Sequence, residues 1–249
     1  MSGTNQVMFA KLKKAGFDIL ALHHAEAVLQ HDMPDASDDI EKTLMGLKIP
    51  ITDLVSGGGG ETKHTQWLRK SLAGLGWKKK NIEVKKLVNG KEVLAQSHEI
   101  DHIKEFGPYI FALEIEWNNK DPFFDRDLES FKRLHSEGAI SVACIITRGQ
   151  SLQSDIRGLL SKFALMRKIA NLRDLERFGY DPTKRQISEI ERRQERGKSF
   201  VEAWVDAFAS DKFGEATTHW RKLDDRVRRG VGNPCPLLLI GIPSSVVTF

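Results

Sequence analysis

Ile110-Phe-Ala-Leu-Glu-Ile-Glu-Trp117 is the stretch that decides how this chain of 249 residues is read. Side chains on a strand alternate, so Ala112, Glu114 and Glu116 share one face and Phe111, Leu113, Ile115 and Trp117 the other. The second face belongs against a core. The first carries two carboxylates about 7 Å apart at Cα. Asp101, on the preceding strand, stands beside them if the two strands pair as a hairpin. Three acids so placed repel one another unless a cation neutralises them. Hard oxygen donors select Mg²⁺ or Mn²⁺ over zinc or copper, and such an ion supports phosphodiester hydrolysis. The residues alone leave a second reading open, in which Glu-x-Glu is a solvated strand face.

Working outward, Asn81–Val88 and Lys91–Ser97 read as two strands joined by a hairpin turn at Asn89-Gly90. Ile100–Ile103 reads as a further strand, turning at Gly107-Pro108 into the acidic one. A helix over about Phe124–His135 leads into Ile140–Thr147, so apolar that both its faces should be covered. Upstream, Phe9–Leu29 has helical spacing, offset at Gly16. A short helix follows at Asp38–Leu47, then an extended or helical stretch at Ile49–Val55. Four glycines, Gly57–Gly60, precede a helix over Glu61–Leu75. Downstream, Ile156–Ile169 and Gln186–Phe208 read as helices and Leu237–Ile242 as a buried strand. The pattern is α/β, a central mixed β-sheet flanked by helices, in a single domain spanning 1–249.

Composition sets bounds on function. Hydrophobic residues make up 40% and charged residues 29%, ordinary values for a globular chain with a real core. No apolar run approaches a membrane span, and the Met1-Ser-Gly-Thr-Asn start lacks a signal-peptide core, so a cytoplasmic protein with no membrane partner is expected. Two cysteines, Cys144 and Cys235, make neither a disulfide scaffold nor a zinc knuckle. Net charge is +4, with basic residues crowding Lys78–Lys86, Arg167–Arg196 and Arg221–Arg229, which is compatible with a polyanionic partner. The four glycines could cradle phosphate, but no Gly-Lys-Ser/Thr follows, so a P-loop is rejected. His23 and His24 with Glu26 read as helix surface or packing before they read as a metal cluster. His98 and His102 flank Asp101 as candidate outer groups.

His98-Glu-Ile-Asp-His-Ile, Leu113-Glu-Ile-Glu-Trp-Asn-Asn and Val142-Ala-Cys-Ile-Ile-Thr-Arg-Gly together resemble the BglII/BamHI-like group of type II restriction endonucleases. The likeness runs from about residue 17 to 150 and returns at Leu237–Ile242. It implies a PD-(D/E)xK nuclease core over about 17–150 and 235–249, with a helical elaboration over about 155–230. Glu116 stands where the general pattern has lysine, as in BamHI, whereas BglII has glutamine. By the resemblance, Asp101, Glu114 and the Ile115 carbonyl hold Mg²⁺, for which Mn²⁺ can substitute. Glu116 holds or activates the attacking water, with Asn119 in support. Glu61, opening an early helix, is a further catalytic candidate, although an acid in a first helical turn also serves the helix dipole.

DNA contact is expected from three segments rich in groups that bind phosphates and read bases. They are Asn118, Asn119 and Lys120 after the acidic strand, then Arg148, Gln150, Ser151, Gln153, Ser154 and Arg157, then Arg226, Arg228 and Arg229. Arg185–Arg196 instead alternates with Glu189, Glu191 and Glu195 as a solvated helix face. The resemblance further implies double-stranded DNA cut at a palindrome by a homodimer, and a cognate DNA methyltransferase in the same system. A structure-specific repair or recombination nuclease and a non-catalytic DNA-binding protein are the competing readings.

Overall fold

The computed structural model describes residues 8–57 and 60–249. Its elements begin with α1 (Ala10–Lys14), β1 (Asp18–Leu22), α2 (Ala25–His31), α3 (Pro34–Met45), β2 (Ile49–Pro50), α4 (Ile51–Val55) and α5 (Lys63–Gly74). The middle of the chain is β3 (Lys78–Val88), β4 (Lys91–Phe106), β5 (Tyr109–Glu116), α6 (Pro122–Ser136) and β6 (Val142–Arg148). Then come α7 (Gln150–Met166), α8 (Leu172–Glu176), α9 (Lys184–Glu195), α10 (Phe200–Lys212) and α11 (Trp220–Arg228). The chain closes with β7 (Leu237–Ile242) and β8 (Val247–Thr248).

Six strands form one mixed sheet in the order β1-β7-β6-β5-β4-β3, and β2 pairs with β8 apart from it. β5, β6 and β7 are mutually parallel, with antiparallel partners on both flanks. The central strands β6 and β7 are buried at every residue, as strands covered on both faces must be. One face (Ala112, Ala143, Ile145, Leu237, Leu239) packs under Phe124, Leu128 and Phe131 of α6 and Leu223 of α11. The other (Phe111, Leu113, Cys144, Ile146, Leu238, Ile240) packs against α3, α5, α7 and α10.

Several elements depart from the sequence reading. Phe9–Leu29 is not one helical stretch but helix, strand and helix. Gly16 (φ 93°) and the left-handed pair His23 and His24 (φ 52° and 66°) break helical geometry on both sides of β1. The freed segment then pairs with β7, from Asp18↔Gly241 to Leu22↔Leu237. His23 Nδ1 donates to Cys235 O at 2.8 Å, a structural role. Lys91–Ser97 and Ile100–Ile103 belong to a single long strand, β4.

The helix expected over Glu61–Leu75 begins at Lys63, capped by the Thr62 side chain, so Glu61 lies before it. α7 starts at Gln150, six residues earlier than its apolar spacing indicated, because Asp18 Oδ2 accepts the Gln150 N–H at 2.7 Å from across the sheet. A Cβ on Gly149 would lie 2.6 Å from that same oxygen, so the close approach requires glycine there. Gln186–Phe208 is two helices, α9 and α10. Gly197 (φ 87°) ends the first, and Ser199 with Glu202 forms a capping box that starts the second. Of the four-glycine run, Gly58 and Gly59 lie outside the described residues. Gly57 N–H donates to Gly179 O at 2.8 Å.

Candidate active site

The ladder between β4 and β5 runs from Phe106↔Tyr109 to His102↔Leu113 and stops there. β5 continues through Glu114–Glu116 paired with β6 (Glu114↔Ile145 to Glu116↔Thr147). The two antiparallel strands therefore fork at Asp101 and Glu114. On its other side β4 slips register: Lys78 opposes Ile103 and Lys80 opposes Ile100. Asp101 and His102 thus share the single partner position of Lys79, a β-bulge that re-aims the Asp101 side chain. That side chain is 52% exposed, with its Oδ1 3.8 Å from Lys79 Nζ. Its backbone N–H crosses the fork and donates to Glu114 Oε1 at 3.2 Å.

Glu114 and Glu116 share a face, as alternation requires, and that face lies under α6: they are only 4% and 3% exposed. Burial, then the charges of Asp101 and Asp127, pushes the Glu114 carboxyl up to about 9. Burial, then a hydrogen-bonding contact with the Asp127 carboxyl, pushes Glu116 up to about 8. Glu116 Oε2 accepts from Asn119 Nδ2 at 2.6 Å, and its Oε1 lies 3.5 Å from Arg126 Nη2. Asp127 is fully buried, and its Oδ1 accepts from Arg126 Nε at 2.8 Å.

Arg126 and Asp127 were not among the sequence candidates. Their signal was available: on α6, position 127 falls within the buried stripe of Phe124, Leu128 and Phe131, where an acid is out of place.

On the opposite face of β5 a cleft of about 1220 Å³ is lined by Asp101, His102, Ile115, Asn118 and Asn119, with Glu61 on its wall. Asp101 and Ile115 therefore line the cleft, Glu114 meets Asp101 at the fork from the other face, and Glu116 lies against Asn119, Arg126 and Asp127. Among the described residues, no three His, Cys, Asp or Glu side chains meet as a ready metal cage. The donor set nonetheless fits a hard cation. It is all oxygen, Asp127 Oδ2 is buried without a donor, and two desolvated glutamates lack a full counter-charge. Glu61 is engaged by Arg69 through both oxygens, at 3.1 and 3.0 Å.

The residues expected to meet DNA divide into two groups. Lys120, Gln150, Ser154, Arg157, Arg228 and Arg229 are exposed. Of these, Arg157 pairs with Asp206, Arg228 with Asp224 and Arg229 with Asp225. Others are turned inward. Arg148 is 1% exposed and donates to Asn118 Oδ1, Thr217 Oγ1 and Thr218 O at 2.7, 2.7 and 2.9 Å. Arg226 is buried between Asp121 and Asp125. Gln153 donates to Phe213 O, and Ser151 Oγ accepts from Ser244 N–H. From sequence Arg148 reads as a DNA contact because it opens a segment rich in base-reading side chains, following a strand on the same edge of the sheet. Here it clamps the turn at Asn118 (φ 56°) to Thr217 and Thr218.

No helix among the described residues is long and apolar enough to cross a membrane. No curated protein matches the chain. The family described as restriction endonuclease BglII/BglIII matches residues 17–242, nearly the whole length, and with the acids of the fork inside that span the chain belongs to the BglII/BglIII restriction endonuclease family.

Proposed function

We propose that this site-specific deoxyribonuclease hydrolyses DNA phosphodiester bonds at the β4–β5 fork, with Asp101, Glu114 and Glu116 as its cutting centre. Restriction endonucleases of this family generally use divalent metal ions. Asp101, Glu114 and the Ile115 carbonyl would hold one Mg²⁺, with Mn²⁺ as a substitute. When bound, the cation supplies a Lewis acid for the phosphoryl oxygens and counter-charge for the leaving oxygen. Glu116, oriented by Asn119, holds and deprotonates the attacking water. Asn118 and Lys120 follow directly on the strand and reach the phosphate being cut. Glu61, held by Arg69 on the cleft wall, completes the acidic surround.

The observation that carries this reading is the Asp101 N–H to Glu114 Oε1 contact where the ladder ends. It ties two acids from different strands to one opening in an otherwise continuous sheet.

Recognition falls to the exposed side chains at the start of α7, Gln150, Ser154 and Arg157, and to Arg228 and Arg229 at the C-terminal end of α11. A palindromic site read by a homodimer follows from matching two-fold symmetry. The enzyme acts as one domain in the cytoplasm, beside a methyltransferase that protects host sites. Its two cysteines are free and buried.

Plasmid digestion with Mg²⁺ tests the reading: wild type yields discrete bands, and Glu114→Ala yields none while still binding DNA in Ca²⁺. Wild-type cutting by Glu114→Ala would remove the fork as the cutting centre.

A further inference from the structure

We propose that Asp127 is a positioning residue for Glu116, acting through Arg126. This rests on the reading of Glu116 as the group that holds the attacking water.

α6 meets the sheet through Phe124, Leu128 and Phe131, and Asp127 lies in the same stripe with no exposed surface. A carboxylate buried there works against stability, and an amide of the same shape or an apolar side chain would sit more comfortably. Its Oδ2 has no donor at all. The residue is therefore poorly explained by packing.

Its neighbours supply the explanation. Oδ1 of Asp127 takes Nε and Nη2 of Arg126 at 2.8 and 2.7 Å. The same Nη2 lies 3.5 Å from Glu116 Oε1. Arg126 is half-exposed and stacked over the Phe123 ring at 4.5 Å, so Asp127 is the anchor that turns its planar fork inward. Oε1 of Glu116 then faces Arg126 and Oε2 faces Asn119, while the Asp127 carboxyl itself also lies against Glu116. Removing Asp127 leaves Arg126 free to swing to solvent and Glu116 free to change rotamer. Loss of such supporting partners lowers activity by about 10- to 100-fold in metal sites generally.

The test compares Asp127→Asn, Arg126→Ala, the double variant and Glu116→Ala. Turnover and KM are measured on DNA with Mg²⁺, DNA affinity in Ca²⁺, and Tm without metal. Asp127→Asn is expected to lose about 10- to 100-fold in kcat with KM and Ca²⁺ affinity unchanged, and to keep or raise Tm. Arg126→Ala, a half-exposed position that tolerates truncation, should lose as much, and the double variant no more than either single.

Turnover by Asp127→Asn within about twofold of wild type overturns the proposal, as do losses in the double variant that multiply. A fall in Tm with a parallel loss of DNA affinity makes Asp127 a structural residue and also overturns it. Glu116→Ala separates the two levels. If it cuts normally, the reading of Glu116 fails; if it is dead while Asp127→Asn is normal, only the positioning role fails.

Discussion

Asn119 Nδ2 donates to Glu116 Oε2 at 2.6 Å, three residues beyond it and past the end of the strand. The contact depends on the turn that follows β5. Asn118 takes a left-handed conformation, and Asn119 N–H donates to Thr218 Oγ1. Asn119→Ala removes the donor without disturbing that backbone bond. Turnover should fall about 10- to 100-fold with DNA affinity in Ca²⁺ preserved. Equal turnover in the variant and wild type would show that Glu116 needs no such support.

Divalent cations should stabilise the folded protein through the fork acids. Ligand that binds only the native state raises stability as its concentration exceeds Kd. Titrating Mg²⁺ or Ca²⁺ into the metal-free protein should raise Tm by a few degrees, and Glu114→Gln and Asp101→Asn should abolish the rise. Glu114→Gln should start from a higher metal-free Tm than wild type, since it relieves a buried and poorly compensated carboxyl. A wild-type Tm indifferent to both cations would count against the fork as a metal centre.

His64 should make the protein sensitive to acid. The ring is buried, edge-on to Trp117 at 4.3 Å, and burial followed by the Lys212 charge lowers its pKa to about 3 from 6.5. A folded pKa depressed below the unfolded one contributes stability that is present above about 6.5 and lost as pH falls toward about 3. The slope for one such group is about 1.4 kcal/mol per pH unit. His64→Gln should be less stable at about pH 7 through lost ring packing, yet lose about 2 to 3 kcal/mol less than wild type on acidification to about pH 4.5. Urea unfolding at both pH values measures this; parallel losses in the two proteins would exclude His64 as the group responsible.

Arg148→Ala should act on stability before specificity. Burial lowers the guanidinium to about 9, which leaves it charged at neutral pH, and its three acceptors lie in the turns at Asn118 and Thr217–Thr218. Leaving buried neutral acceptors without their donor costs about 1 to 3 kcal/mol for each one stranded. Calorimetry should show that loss, together with weaker cutting at an unchanged DNA sequence. A changed cleavage sequence with normal Tm would place Arg148 on the bases instead.

What the sequence determined by itself is the part governed by local period. Alternation along Ile110–Trp117 puts the two glutamates on one face and Phe111, Leu113 and Ile115 on the other, and the all-apolar run at Val142–Ile146 announces a strand covered on both faces. Asn89-Gly90 marks the hairpin, both residues taking positive φ. The same period places Glu114 and Glu116 together on one face of β5.

Tertiary structure decided whatever depends on partners distant along the chain. β1 is a strand because β7 offers it an edge, against helical spacing in its own residues. α7 begins at Gln150 because Asp18, 132 residues away, caps it. Arg148 reads from sequence as a free recognition side chain, and only the return of Thr217 and Thr218 to the turn at Asn118 buries it. The fork itself is also such a property. Asp101 and Glu114 meet because one ladder ends where a bulge begins, and the register between strands is set by packing that no single segment encodes.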